Sequence, residues 1–166
     1  MIHEAQRGEY SISTDIRRLD LEVIHDFLSA SYWAEGRPLD VVIKSIQNSL
    51  AFGLYKGGRQ IGFARVVTDY STFAYLADVF VLPEWRGQGL GVWLMREIIS
   101  HRELQGLRRW LLVTRDAHDL YRRFGFEAST VGNVMEMKPS KPPAVEESRL
   151  SSATANSSER TELEHP

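Results

Sequence analysis

A glycine-rich turn between an apolar segment and an amphipathic segment constrains the fold of this chain most strongly. The segment YLADVFVL, residues 75–82, predicts a buried strand, and the four-residue spacing of Leu90, Leu94 and Ile98 predicts a helix. Between them lies RGQGLG, residues 86–91, in which each of the three glycines costs up to about 1 kcal/mol relative to alanine in a helix. A glycine-rich turn at a helix N-terminus exposes backbone N–H groups to an anion. The turn therefore predicts a site for a phosphorylated cofactor, with close strand–helix packing as the alternative.

Two familiar phosphate-binding motifs do not fit this turn. A nucleotide P-loop ends in Gly-Lys-Ser/Thr, whereas Val92 and Trp93 follow Gly91. A Rossmann turn needs GxGxxG, and its last glycine is replaced here by Val92 or Leu94. A nucleotide-dependent enzyme of either kind is therefore disfavoured.

The remaining sequence predicts an α+β domain with the order β-α-α-β-β-β-α-β-α-β. The segment 108–114 is nearly all apolar, which is typical of a parallel strand buried on both faces. In the last helix Asp116 is a candidate N-cap and Gly125 a candidate end. The predicted strands are 9–14, a hairpin over 51–67, 73–82, 108–114 and final strands within 126–138, and the predicted helices are 19–33, 39–50, 89–101 and 116–125.

Composition excludes several classes of protein. A net charge of −2 argues against a general nucleic-acid binder, and the absence of cysteine excludes disulfide scaffolds and thiolate metal sites. The histidines form no HExxH pair, so no metal is expected. No apolar stretch is long enough to span a membrane, and the N-terminus does not read as a signal peptide, so a cytoplasmic protein is expected. Residues 1–138 are predicted to form the domain, and the polar residues 139–166 a disordered tail.

Two motifs resemble the GNAT superfamily of N-acetyltransferases. The segment DVFVLPEWRGQGLGVWLM is similar to the acyl-CoA-binding segment of that family, whose pattern Arg/Gln-x-x-Gly-x-Gly/Ala is matched by Arg86, Gly89 and Gly91. The segment AHDLYRRFGF resembles the family's helix that ends in Leu-Tyr-x-x-x-Gly-Phe. The resemblance covers roughly residues 8–138. It implies a mixed sheet with a splayed central parallel strand pair, about four flanking helices, and acetyl-CoA as cosubstrate.

The resemblance also implies roles for individual residues. Tyr121 would donate a hydrogen bond or proton to the departing CoA thiolate, with a core tyrosine as the alternative. Thr114 stands where many relatives carry asparagine; it can still cap a helix, but it lacks the amide that would orient CoA. The pantetheine arm would pair with the backbone of Val79, Phe80 and Val81, and the pyrophosphate would sit on the amides of Arg86, Gly87, Gln88, Gly89, Leu90 and Gly91.

The acceptor side is less determined. Asp78 interrupts an apolar strand, and a buried carboxylate must be paired or hydrogen-bonded. It either receives the substrate ammonium and its proton, as an acid on this strand does in several relatives, or is tied to a loop amide or an arginine. Tyr32 and Trp33, in the loop SYWAEGRP, either form a wall of the acceptor site or pack on the core.

These residues predict an acetyl-CoA-dependent N-acetyltransferase that acts by direct attack in a ternary complex. The acceptor is a primary amine of a small molecule or peptide, with no nucleic-acid or membrane partner, and a homodimer is left open. The alternative is a catalytically silent acyl-CoA-binding or regulatory domain, which would not need Tyr121. The fold and the cofactor site do not determine the acceptor.

Overall fold

Six strands form one mixed sheet in the order β1-β2-β3-β4-β5-β6. All neighbouring pairs are antiparallel except β5 and β6, which are parallel. The computed structural model describes residues 2–129 and 134–136. The strands are β1 Glu4–Arg7, β2 Tyr10–Ser13, β3 Leu50–Lys56, β4 Arg59–Thr68, β5 Phe73–Val81 and β6 Arg109–Leu111, and the helices are α1 Leu21–Ser29, α2 Leu39–Gln47, α3 Leu90–Ile99 and α4 His118–Arg122.

One hydrophobic cluster lies on each face of the sheet. Neighbouring residues of a strand point to opposite faces, and Phe63 and Ala64 of β4 belong to different clusters. The cluster with Phe63 receives the buried faces of α1 and α2, including Ile24 and Val42. The cluster with Ala64 receives the buried residues of α3, including Leu94. The α+β prediction is therefore confirmed, with helices packed on both faces.

The β3–β4 hairpin is confirmed around its glycine turn. Lys56 pairs with Arg59, so the loop has the two residues Gly57 and Gly58. Gly57 has a φ of +56°, which is the left-handed conformation that two-residue hairpin turns require.

The parallel pair separates partway along β5. β6 pairs only with Phe73, Ala74 and Tyr75, whereas β5 continues to Val81. The β4–β5 register also shifts between Phe63 and Arg65, opposite Asp78. This irregularity and the end of the pairing leave the outer edge of β5 without β6 beyond Tyr75, which confirms the predicted splayed pair.

Several sequence predictions are corrected by the structure. Strand β1 was not predicted, because its residues are mostly exposed and lack apolar alternation. β6 is not buried on both faces: Arg109 is exposed, and Trp110 and Leu111 are only partly buried. Residues 126–129 and 134–136 form no strand, and the rest of the predicted final strands lies outside the described residues. The predicted tail, 139–166, also lies outside them, so that prediction stands untested.

Candidate active site

A cleft with a volume of about 330 Å³ lies along the exposed end of β5. Its walls come from four parts of the chain, of which two are close in sequence and two are distant from them. They are residues 79–81 of β5, the turn and first residues of α3, Phe27 and Trp33 on the α1 side, and Ala117, Leu120 and Tyr121 of the α4 segment. The structure thus brings most of the predicted cofactor residues and Tyr121 to one place.

The three glycines of the turn differ in why the structure favours glycine at their positions. Gly87 and Gly89 have φ angles of +76° and +73°, in the left-handed region that costs other residues about 1–2 kcal/mol. Gly89 is the N-cap of α3. Gly91 does not have a positive φ, and there is room for a side chain at its position. A methyl group there would lie 3.9 Å from Val81 Cγ2, an ordinary contact. Close strand–helix packing therefore does not explain Gly91, and this favours the ligand-binding interpretation of the turn.

Side chains around the turn hold it in place. Arg86 Nε donates to the backbone O of Val81 at 2.9 Å. The Tyr10 hydroxyl donates to Gln88 Oε1 at 2.8 Å. The side chains of Arg86 and Gln88 thus brace the turn, and the backbone amides at the start of α3 remain the groups that could meet a ligand. Tyr10 was not predicted from the sequence, because nothing local in EYSIST points to a residue 78 positions away.

Tyr121 presents its phenol to the cleft. It lies on α4 with its ring 6.0 Å from that of Phe126, edge to face. Burial raises the pKa of Tyr121 to about 12, and Tyr32 and Asp116 act in the same direction. The hydroxyl makes no hydrogen bond to another residue that the structure describes. The phenol is therefore protonated at neutral pH and available as a donor.

No described side chain caps the N-terminus of α4: its N-cap is Ala117, and Thr114 holds the turn that precedes it. Thr114 Oγ1 accepts a hydrogen bond from the backbone N of Ala117 at 3.0 Å. The predicted cap by Asp116 is wrong, because its carboxylate accepts from Tyr32 instead. The predicted end at Gly125 is confirmed: its φ is +83°, and the backbone N of Phe126 donates back to the O of Tyr121. Thr114 does not line the cleft.

Asp78 lies behind the cleft wall, between two arginines. Its side chain is 3% exposed, and Oδ2 accepts from Arg65 Nε at 2.6 Å and from Arg37 Nη1 at 2.8 Å. Asp78 does not itself line the cleft, although Val79 next to it does. The arrangement matches the alternative in which an arginine holds this carboxylate, and it adds Arg37 and Arg65 to the candidate residues.

Tyr32 and Trp33 lie on the surface and not in the core, at 42% and 40% exposure. Trp33 lines the cleft beside Phe27, whose ring stacks on Phe80 at 3.9 Å. Helix α1 carries Phe27 three residues after the buried Ile24, so helical periodicity is the signal that would have found it.

Tyr32 forms a clasp with Arg115 and Asp116. Its hydroxyl donates to Asp116 Oδ1 at 3.3 Å and accepts from the backbone N of Arg115 at 3.1 Å. The Arg115 guanidinium lies 3.8 Å above the Tyr32 ring. The clasp joins the loop after α1 to the segment that precedes α4, and so joins two walls of the cleft.

The indole N–H of Trp85, in the cleft wall, is buried without a hydrogen-bond partner among the described residues.

Among all the residues that the structure describes, no group of three or more His, Cys, Asp or Glu side chains could hold a metal ion. Nor is any described helix long and apolar enough to cross a membrane.

Comparisons with known proteins agree with this geometry. Residues 47–128 match the family model for an acetyltransferase (GNAT) domain. A "putative acetyltransferase" of Gibberella zeae is 35% identical, and the match covers 69% of this chain and 77% of that protein. An "uncharacterized N-acetyltransferase ycf52-like" of Prochlorococcus marinus is 33% identical over 61% of this chain and 58% of its own length. The crystal structure of a "putative acetyltransferase belonging to the GNAT family" from Xanthomonas campestris is 47% identical, with a TM-score of 0.77, over 81% of this chain and 96% of that one.

Proposed function

This chain belongs to the GNAT acetyltransferase family, and we propose that it is an acetyl-CoA-dependent N-acetyltransferase. It transfers the acetyl group to a primary amine of a small molecule or peptide by direct attack in a ternary complex. The observation that carries the proposal is that the glycine-rich turn, the open edge of β5 and Tyr121 line one cleft.

The cofactor end of the cleft suits a long molecule with phosphates at one end. The backbone of Val79, Phe80 and Val81 is not paired with β6, so those of its groups that do not bond β4 or Arg86 could hydrogen-bond an extended pantetheine arm. Backbone amides of Gly87, Gln88, Gly89, Leu90 and Gly91, with the positive end of the α3 dipole, would hold the pyrophosphate. The Arg86 amide already donates to the Pro83 O, so Arg86 would contribute by bracing the turn. Thr114 would contribute indirectly, by holding the turn that leads into the helix that carries Tyr121.

We assign Tyr121 as the hydrogen-bond donor to the leaving group. A bound thioester supplies an activated acetyl group whose leaving group is a thiolate. With a pKa of about 12, the phenol keeps its proton at neutral pH and can donate a hydrogen bond to that sulfur, whereas full transfer of the proton to a weakly basic thiolate would be uphill. A thiol of ordinary pKa, about 8.5, is already a tolerable leaving group, so the phenol assists and is not indispensable.

The acceptor end is assigned to the loop after α1 and to Asp78. Trp33 would contact the carbon skeleton of the acceptor, and Tyr32 would hold the loop against the α4 segment. Asp78 would serve the amine side of the reaction through the two guanidiniums that it binds. Because those guanidiniums occupy Oδ2, we assign Asp78 as a positioning residue.

The test uses the full chain and two separate readouts. Calorimetry measures acetyl-CoA binding, and release of CoA thiol measures turnover with a panel of amines, amino acids, aminoglycosides and peptides. Turnover with an amine, with N-acetylation identified by mass spectrometry, supports the proposal. Binding without turnover on any amine would favour the silent acyl-CoA-binding domain, and absence of binding would contradict the assigned cofactor site.

A further inference from the structure

The Arg37–Asp78–Arg65 cluster carries an excess of positive charge. Two guanidiniums share one carboxylate, so their formal charges of +2 and −1 leave +1. The three side chains are 21%, 3% and 13% exposed in the order Arg37, Asp78, Arg65. Among the described residues, neither arginine has a second carboxylate partner. Since a largely buried charge is costly unless it is balanced, the cluster favours a further anion.

Arg37 is the member of the cluster that a ligand can reach. It is the more exposed arginine, and only its Nη1 donates to a described side chain, so Nε and Nη2 keep their donors. The backbone of Arg37 is also held in place, because His25 Nε2 donates to the Arg37 backbone O at 3.1 Å. Because Asp78 already holds the Arg37 guanidinium, the side chain loses little further rotamer freedom when it binds a ligand.

The cluster adjoins the acceptor end of the cleft through neighbouring residues of the chain, although none of its three side chains lines the cleft. Asp78 directly precedes Val79, and Arg37 ends the same loop that places Trp33 in the cleft wall. The glycine-rich turn, which suits the pyrophosphate, comes from another segment after the end of β5. The positive cluster is therefore built from elements other than the phosphate-binding turn.

The backbone at Asp78 is strained to bring the carboxylate there. Asp78 has a φ of +54° within β5, at the register shift of the β4–β5 pair. A left-handed residue other than glycine costs about 1–2 kcal/mol, and such strain persists mainly where function depends on the geometry. A carboxylate needed only to balance one arginine could sit on an ordinary strand position.

We propose that the acceptor amine also carries a carboxylate, and that Arg37 binds this carboxylate while Asp78 and Arg65 hold Arg37 in place. The inference rests on the proposed acetyltransferase function and names its substrate class. A guanidinium binds a carboxylate through two parallel hydrogen bonds, which are among the strong ones in proteins. A cationic amine without an anionic group would instead meet a net positive charge.

The first experiment compares matched acceptors with the full chain. Aromatic, aliphatic and basic amino acids, and dipeptides, are each assayed beside their carboxamides by release of CoA thiol. We expect kcat/KM to be at least about tenfold higher for carboxylates than for carboxamides. The amino-acid and dipeptide arms distinguish a free amino acid from a peptide C-terminus.

Equal or faster acetylation of the carboxamides would overturn the inference and leave the proposed function intact. So would acetyl-CoA binding, measured by calorimetry, with no turnover on any carboxylate. Loss of acetyl-CoA binding itself would instead count against the proposed function.

The second experiment changes Arg37 alone. Arg37→Gln should raise the KM of the best carboxylate acceptor at least about tenfold, with the KM of acetyl-CoA unchanged, and Arg37→Lys should restore part of the loss. Arg17→Gln is the matched control, since Arg17 is an exposed arginine paired with Asp15 outside the cleft. If Arg37→Gln raises the KM of carboxylate and carboxamide alike, Arg37 only supports the fold and the inference fails. Should that variant not fold, Arg37→Lys and the matched acceptors still decide it.

Discussion

The two ends of the cleft are built in different ways. The cofactor end is made of backbone: two glycines with positive φ, the start of α3 and the open edge of β5 lie within residues 79–91. The acceptor end is made of side chains that meet from distant positions: Arg37 and Arg65 reach Asp78 across 41 and 13 residues. A ligand site of backbone leaves a local trace in the sequence, because only glycine adopts its angles freely. A site of converging side chains leaves none.

The largest expected effect is at the cofactor end. Gly89→Glu places a side chain at a φ of +73° and a negative charge at the N-cap of α3, where the pyrophosphate is proposed to bind. We expect the affinity for acetyl-CoA to fall by about 1,000-fold or more, from charge repulsion and backbone strain together. Calorimetry on the folded variant measures the loss.

Gly57→Glu is the matched control for this prediction. Gly57 also has a positive φ, of +56°, and open space around it, but it lies in the β3–β4 turn and not in the cleft. It should lose stability without losing affinity for acetyl-CoA. Equal affinities of the Gly89→Glu protein and the parent chain would place the phosphates elsewhere.

The next effect is at the acceptor end and concerns stability. Asp78→Asn keeps the shape, and asparagine tolerates the left-handed backbone, but the change leaves two partly buried guanidiniums without their carboxylate. The free energy of unfolding should fall by about 3 kcal/mol, as when one partner of a buried ion pair is removed. Chemical denaturation measures it.

The same variant tests the role of Asp78 in turnover. Asp78→Asn should raise the KM of a carboxylate acceptor, because Arg37 loses the group that holds it, and should leave acetyl-CoA affinity unchanged. Asp15→Asn is the comparison, because it removes a carboxylate from an arginine pair outside the cleft and should cost much less stability. An unchanged KM of the acceptor would confine Asp78 to a structural role.

A smaller effect is expected where the two ends meet, at Tyr121. Tyr121→Phe keeps the ring and removes the donor, so kcat should fall about 100-fold, the low end of what a positioned donor contributes, with little change in stability or acetyl-CoA affinity. Because the pKa of Tyr121 is about 12, the phenol is protonated well below that pH. The parent chain should therefore show no loss of rate from this group up to about pH 10.

Tyr70→Phe serves as the control for Tyr121→Phe. Tyr70 is exposed and lies in the β4–β5 turn, away from the cleft, so its change should leave kcat unaltered. Near-normal turnover in Tyr121→Phe, with the chemical step shown to be rate-limiting, would remove Tyr121 from the mechanism.

The same contrast explains what the sequence could predict. The apolar periodicity of α1 to α3, the glycine turn of the β3–β4 hairpin and the end of α4 at Gly125 follow local rules, and the structure confirms them. The predicted cap of α4 by Asp116 did not follow local rules, because Asp116 accepts a hydrogen bond from Tyr32, which lies 84 residues away in the sequence. The pairing of Arg37 and Arg65 with Asp78 could not be predicted for the same reason, since an arginine has no local sign of a buried partner.

The smallest expected effect is at the clasp, and it separates the two ends most finely. Tyr32→Phe removes the hydrogen bonds to Asp116 and from Arg115 but keeps the ring under the Arg115 guanidinium. Since the hydroxyl lies at the surface, stability should fall by only about 1 kcal/mol or less. The clasp joins the acceptor loop to the segment that carries Tyr121, so its loosening should lower kcat a few-fold and leave acetyl-CoA affinity unchanged. A matched change in acetyl-CoA affinity would mean that the two ends of the cleft are coupled through the clasp, and that they cannot be treated as separately built.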